Sequence, residues 1–307
     1  MSRLVCLGII VKDMVFRVPR IPPVPQKLTA SELRIQFGGM AATAAAAAAA
    51  LGGEVEFWGR VGDDDTGREA ERAFRRRGVE PRMRATAGQA SPTSAVIVDE
   101  SGERMLAVHA GRLDPDPAWL PLERLQGAGA VHADFRWPQG AQALYRAARA
   151  LGLPRVLDAD AGNADAVREL MALADHVVFS ERGLAGLAGD LPPEQALRQV
   201  GGTPGQVLGV TLGERGSLFL QDGRLRSFGA PRIAARDTNG AGDVFHGAYA
   251  LALARGLPWP QAVDYATAAA SLKCMREHDW DLLPAHDEVM TFMRACAGHA
   301  GAAQPAG

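Results

Sequence analysis

The chain has 307 residues, a formal net charge of −2, 47% hydrophobic residues and 22% charged residues. This is enough chain for one large α/β domain with a small appendage, and the near-neutral charge argues against a general nucleic-acid or membrane-surface binder. Cys6, Cys274 and Cys296 are far apart and form no Cys-x-x-Cys pair. That is the pattern of reduced thiols in a cytoplasmic protein rather than of a disulfide framework or a zinc site.

The opening MSRLVCLGIIVKDM has an apolar run that Lys12 and Asp13 end. It is too short to span a bilayer and lacks the layout of a signal peptide, so Leu4–Val11 reads as a buried first strand. Lys12–Gln36 holds four prolines and no helical period. The spacing then predicts a helix over Gly39–Leu51, a strand over Val55–Val61 and a helix over Thr66–Arg77, where Ala70, Ala73 and Phe74 share one face. Thr93–His109 reads as a hairpin: TSAVIVD, a turn at Glu100–Gly102, then RMLAVH.

Farther on, strands over Ala130–Asp134, Arg155–Asp158, His176–Ser180 and Val207–Leu212 are interleaved with helices over Gln139–Leu151 and Ala164–Ala174. Two more helices follow, over Asp243–Arg255 and Pro260–Cys274. Strand–helix alternation argues for a mostly parallel sheet covered by helices on both sides. Residues 1–11, 37–92 and 110–297 are assigned to this α/β domain. Residues 12–36 and 93–109 are assigned to a β lid over the carboxyl edge, where open α/β sheets bind ligands. Residues 298–307, rich in Gly and Ala, are expected to fray.

The most informative stretch is RDTNGAGDVFHGAYALALA, Arg236 to Ala254. Gly240, Ala241 and Gly242 make a small-residue turn ahead of an apolar helix, so backbone N–H groups can approach an anion closely. The helix N-terminus adds unpaired donors and a positive dipole end. Such a site suits a transferring γ-phosphoryl group, whose charge spreads over three oxygens. Asp243, in the first turn, is placed to accept a proton from an attacking hydroxyl; the competing reading is a glycine-rich cap in which Asp243 only starts the helix. The chain has no Walker Gly-x4-Gly-Lys-Ser/Thr string, and Phe245 stands where a dinucleotide fingerprint needs its third glycine.

DTNGAGDVFHGA closely resembles the second signature of the ribokinase-like (PfkB) carbohydrate kinases, and FGGMAATAAAAAAALGG resembles the first. The resemblance implies a three-layer α/β/α sandwich with a mostly parallel central sheet and a small β-sheet lid. It implies ATP and Mg2+ as cofactors, Asp243 as the base, and the amides of Gly240, Ala241 and Gly242 as the anion hole. It assigns Gly38 and Gly39 to the sugar hydroxyls, with Thr43 where the family usually has Asn. Asp13 falls where the family places a group that grips two sugar hydroxyls, and a surface-turn role is the alternative. Thr211, Gly213 and Gly216, in VTLGERGSLFL, are assigned to the nucleotide, with a plain hairpin as the bland reading.

Other segments are less direct. In FSERGL the family's usual glutamate is displaced, and Glu181 is the substitute assigned to the metal. Asp158 and Asp160, in VLDAD, could face the phosphate and metal region or cap a helix. Asp63–Asp65 reads as a turn and helix start rather than a metal cluster, and Arg75–Arg77 as a solvated helix end. MREHDWDLLPA, after Cys274, lacks the glycine-containing loop that the resemblance places beside a monovalent-ion site, which argues against a potassium requirement.

Lys27 and Arg136 could hold a remote anion on the substrate. GRVGDDDTG, ADFRW, VLDAD, FSERGLAGLAG and LKC are similar to kinases of 6-deoxy-6-sulfofructose, although the asparagine those enzymes would place near Val108–His109 is absent. The reaction expected is transfer of a phosphoryl group from ATP to a primary hydroxyl of a sugar, a ketose such as fructose or 6-deoxy-6-sulfofructose. The rival readings are a nucleoside kinase of the same fold and a non-catalytic sugar- or nucleotide-binding protein. The expected partners are small molecules and a second copy of the chain, docked through the lid, and neither nucleic acid nor membrane.

Overall fold

The computed structural model describes residues 3–277 and 279–301. The apolar runs become strands of one sheet: β1 (Arg3–Gly8), β4 (Val55–Gly62), β5 (Val79–Thr86), β8 (Ala128–Asp134), β9 (Arg155–Ala159), β10 (His176–Ser180), β11 (Val207–Thr211), β12 (Ser217–Gln221) and β13 (Arg224–Phe228). Their order is β13-β12-β11-β10-β9-β8-β1-β4-β5. All neighbours are parallel except β11–β12 and β12–β13. The order runs outward in opposite directions from β1 and β8. That pair is the switch point at whose carboxyl ends such sheets open a crevice.

Helices cover both faces. One apolar layer joins α1 (Met40–Ala50), α7 (Ala241–Ala254) and α8 (Trp259–Cys274), with Phe74 of α2 (Asp65–Arg76) and Val289 of α9 (His286–Gly301). The opposite layer joins α3 (Pro138–Ala150), α4 (Ala164–Met171), α5 (Glu181–Ala188) and α6 (Pro193–Val200). The alanine run of α1 is buried from Ala41 through Ala48 because it lies against α7 at backbone range. A Cβ added at Gly247 of α7 would come within 2.2 Å of the Ala44 carbonyl oxygen. Small residues on both helices permit that approach, and larger ones would overpack it.

A second sheet of four strands forms the lid, in the order β3-β2-β6-β7: β2 (Val11–Val18), β3 (Glu32–Gly38), β6 (Thr93–Asp99) and β7 (Arg104–His109). Here the structure corrects the expected Leu4–Val11 strand: β1 ends at Gly8, and Val11 already belongs to the lid. The cause is local crowding, since a Cβ on Gly8 would sit 2.1 Å from Asp134 Oδ2 as the chain turns over that carboxylate. The four prolines of the expected irregular stretch all lie between Pro19 and Pro25, in the connection from β2 to β3. Strands β5 and β13 and helices α5, α6 and α9 were not anticipated. Their polar faces weaken the apolar runs used to find the others. Helix α9 extends to Gly301, so the expected tail begins later than 298, and residues 302–307 lie outside the described residues. No helix among the described residues is long and apolar enough to cross a membrane.

Candidate active site

Gly240 takes a left-handed conformation, φ 71°, and caps α7, so Ala241, Gly242 and Asp243 form its first turn. A side chain at Gly242 would meet nothing within 4 Å, which leaves open space in front of that peptide. The Ala241 amide donates to Thr238 O at 3.2 Å, so it is engaged within the loop itself. Asp243 is half-buried and lies in the wall of neither large cavity of the crevice. Burial pushes its carboxyl up to about 8, and the charges of Asp158, Asp160 and Asp134 add to the rise while His246 opposes it.

Beneath that turn lies a buried polar floor. Asp134, at the end of β8, accepts from Ile9 N (3.0 Å), Ala41 N (3.2 Å) and Arg136 N (2.8 Å). It thereby ties together the β1–β2 turn, the start of α1 and the β8–α3 connection. His246 of α7 places Nδ1 2.8 Å from Gly242 O and 3.4 Å from Asp158 Oδ2, and Nε2 3.2 Å from Val178 O. Burial pulls its imidazole toward the neutral form. Burial and the neighbouring acids raise Asp158 well above the usual carboxylate range. His132, in mid-strand, is also fully buried, and neither ring nitrogen has a hydrogen-bond partner.

On the lid side, Asp13 of β2 accepts from Ser94 Oγ of β6. Burial raises the Asp13 carboxyl, and the Ser94 bond partly offsets that rise. A Cβ on Gly38 would lie 2.4 Å from Asp13 Oδ2, and one on Gly39, φ 102°, 2.5 Å from Ile9 O. Asp13, Gly38 and Gly39 therefore converge, with the glycines required by the approach. Asp13 and Gly39 border a cavity of about 470 Å³ whose wall also includes Arg60, Arg112, Arg136 and Trp137. A second cavity, about 690 Å³, lies between the inner lid face and residues Ala235–Asn239, and shares Asp13 and Leu106 with the first.

Comparison with known proteins decides the family. Residues 1–285 match the pfkB family carbohydrate kinase profile. The chain belongs to the pfkB family of carbohydrate kinases. This kinase is 26% identical over 300 residues to the ribokinase of Haemophilus influenzae, covering 94% of this chain and 98% of that one. It is 28% identical over 304 residues to the ATP-dependent ribose-1-phosphate kinase of Halopiger xanaduensis, covering 95% and 98%. A crystal structure of a presumed ribokinase from Agrobacterium tumefaciens superposes with a TM-score of 0.90 at 32% identity, covering 97% of this kinase and 99% of that chain. The fold is the ribokinase fold.

The remaining expected residues of the kinase take varied positions. Thr211 ends β11 and donates Oγ1–H to Phe179 O at 3.3 Å. Gly213 and Gly216 flank the single turn that joins β11 to β12. A Cβ on Gly216 would lie 2.0 Å from Phe228 O, so contact with β13 alone explains that glycine. Glu181 starts α5 and pairs with Arg215 across the loop after β11. Asp160 Oδ1 accepts from Ser180 Oγ at the neighbouring strand ends. Among the described residues no three His, Cys, Asp or Glu side chains converge as a metal cage. A magnesium ion held chiefly by phosphate oxygens needs only one or two carboxylates, and Asp160 and Glu181 fit that modest requirement.

Two expectations change. Thr43 is buried, accepts from the Trp280 indole at 3.2 Å and lines neither cavity. Lys27 is exposed in the β2–β3 connection and lines neither cavity. Asp64 caps α2 by accepting from Gly67 N at 2.8 Å, in keeping with the helix start read over Asp63–Asp65. Sequence reasoning missed Asp134, Ser94, Arg60, Arg112 and His246. Of these, only Asp134 carried a signal, an acid at the end of a predicted strand next to Arg136.

Proposed function

We propose that this kinase transfers the γ-phosphoryl group of Mg-ATP to a primary hydroxyl of a sugar that carries an anionic group, a phosphate or a sulfonate. The observation behind this reading is the cavity beside Asp13, where Arg60, Arg112 and Arg136 face a single carboxylate. Arg60 is half-buried, stacks 4.4 Å from the Trp137 ring and donates to Asp114 O at 3.0 Å. Burial lowers its pKa to about 10, so it remains charged at neutral pH. Arginine forks match the oxygens of phosphate or sulfonate, a match that a neutral sugar cannot offer. Relatives of this kinase are named for ribose, for ribose 1-phosphate and for fructose, and the ketose reading, with 6-deoxy-6-sulfofructose as its anionic instance, rests on the sequence resemblance.

In this reading Asp13 holds two sugar hydroxyls over Gly38 and Gly39. Asp243 takes the proton of the attacking hydroxyl, and the Gly240–Gly242 turn receives the transferring group. Thr211 and Gly213 border the nucleotide. Magnesium, when bound, would neutralise phosphate charge near Asp160 and Glu181. The buried Cys6 and the two remaining free thiols fit a reducing, cytoplasmic setting.

Alternation along the lid strands puts Leu33, Ile35 and Met105 on its outer face together with Met14, Phe16 and Ile97. The first three are each at least half exposed in the single chain, which supports a homodimer through this face. The experiment that tests the function is one ATP-consumption assay on fructose, 6-deoxy-6-sulfofructose, ribose, ribose 1-phosphate and a nucleoside. The anionic sugars should win by kcat/KM. Preference for a neutral sugar would remove the anion reading, and preference for the nucleoside would move the enzyme to the nucleoside kinases.

A further inference from the structure

Lys273, in the last turn of α8, is 2% exposed, yet carries a primary ammonium. Its Nζ donates to Asp237 O at 2.8 Å. The same helix end holds the loop a second time: Cys274 O accepts from Arg236 N at 2.8 Å and from Asp237 N at 3.2 Å. Downstream, Asp237 Oδ1 accepts from Asn239 N at 2.8 Å, immediately before the Gly240 cap. The start of the phosphate-facing turn therefore hangs from the end of α8.

A buried cation is costly unless compensated. Here the compensation is the α8 C-terminus, the Asp237 carbonyl and the negative charges of Asp237 and Asp243, while Arg104 of the lid opposes it. The chain has three lysines against thirty arginines, so the usual cation of this protein is not the one used at this place. A compact point charge on a flexible stem can reach the Asp237 carbonyl from a buried position, where a planar guanidinium needs room for its fork.

We propose that the Lys273 ammonium is a built-in monovalent cation that positions the anion-hole turn, so that this kinase needs no added potassium. Lys273 touches no substrate in this arrangement and is a positioning residue. Its charge polarises the Asp237–Thr238 peptide and holds the turn that leads to Gly242 and Asp243. The inference rests on the kinase reading of that turn.

The test compares wild type and Lys273→Met in buffers whose only monovalent cation is tetramethylammonium, and then with KCl or ammonium chloride added. Wild type is expected to turn over equally in all of them. Lys273→Met should lose about a hundredfold in kcat/KM for ATP and recover part of it with ammonium or potassium, while KM for the sugar changes little. A purely structural lysine would give a loss that no cation restores, and that result overturns the proposal. Wild-type kinetics in Lys273→Met overturn it as well. The wild-type arm needs no variant: a strict potassium requirement there refutes the idea even if Lys273→Met does not fold. A wild-type chain that neither binds nor consumes ATP would sink the kinase reading and this inference with it, a result distinct from the others.

Discussion

His246 Nδ1 lies 3.4 Å from Asp158 Oδ2 and 2.8 Å from the carbonyl of Gly242, so one imidazole joins the Gly240–Gly242 turn to the carboxyl end of β9. Its other nitrogen reaches Val178 O of β10. The neutral ring has one N–H, so replacing His246 with Ala should leave one buried acceptor without its donor, at about 1–3 kcal/mol. Thermal unfolding should show a lower Tm. Turnover should fall by about tenfold or more as the turn loosens. An unchanged kcat in a folded His246→Ala protein would show that the ring does not position the turn.

The raised pKa of Asp243 predicts a rate that climbs with pH. A base works only when deprotonated, so kcat/KM for the sugar should fall as pH drops below about 8 in the free enzyme. Asp243→Asn should keep ATP binding by calorimetry and lose turnover by orders of magnitude. The linkage sign is opposite for stability. A carboxyl whose folded pKa is raised holds its proton more firmly in the native state. Its contribution is therefore complete below the unfolded pKa and is lost as pH rises through about 8. Asp243→Asn should accordingly raise Tm by roughly 2 °C or more at pH 8.5, and by less at pH 5.

On the proposed function, the three arginines of the smaller cavity should separate anionic from neutral sugars. Arg136→Ala should cost about tenfold to a hundredfold in kcat/KM for the preferred anionic sugar, the size of a charge-assisted hydrogen bond. The rate with a neutral analogue should stay nearly level. Equal losses on both substrates would mean that Arg136 only shapes the β8–α3 connection.

Packing of α1 on α7 leaves no room at Gly247. Gly247→Ala should destabilise the fold by about 1–3 kcal/mol in urea titrations, because its methyl would press on the Ala44 carbonyl. Gly186, an α5 glycine with nothing within 4 Å of its missing Cβ, makes the control, and Gly186→Ala should be neutral or stabilising.

If the outer lid face holds a second copy, a charge there should split the pair. Ile35→Asp combined with Met105→Asp is expected to convert a dimer to a monomer in analytical ultracentrifugation. A monomeric wild type would remove the dimer.

How much of the site was readable in advance depends on how local the feature is. The Gly240–Gly242 turn and Asp243 lie within four consecutive residues, and one helical turn fixes their relation. Asp13, Gly38 and Gly39 were found by resemblance, but only the pairing of β2 with β3 brings Asp13 above Gly38. The Trp280 partner of Thr43 was not foreseen because α1 is apolar around its whole circumference, so its alanines do not reveal which neighbour each side meets.

The order of residues by itself determined the alternation of strands and helices and the small-residue turn ahead of α7, since both follow from backbone geometry within a few residues. Only the tertiary structure decided that Arg60, Arg112 and Arg136 would share one cavity, that His246 would reach Asp158, and that Lys273 would lie behind Asp237. Those meetings join positions tens of residues apart. They depend on strand order and on which face of each helix is buried, which spacing along the chain does not encode.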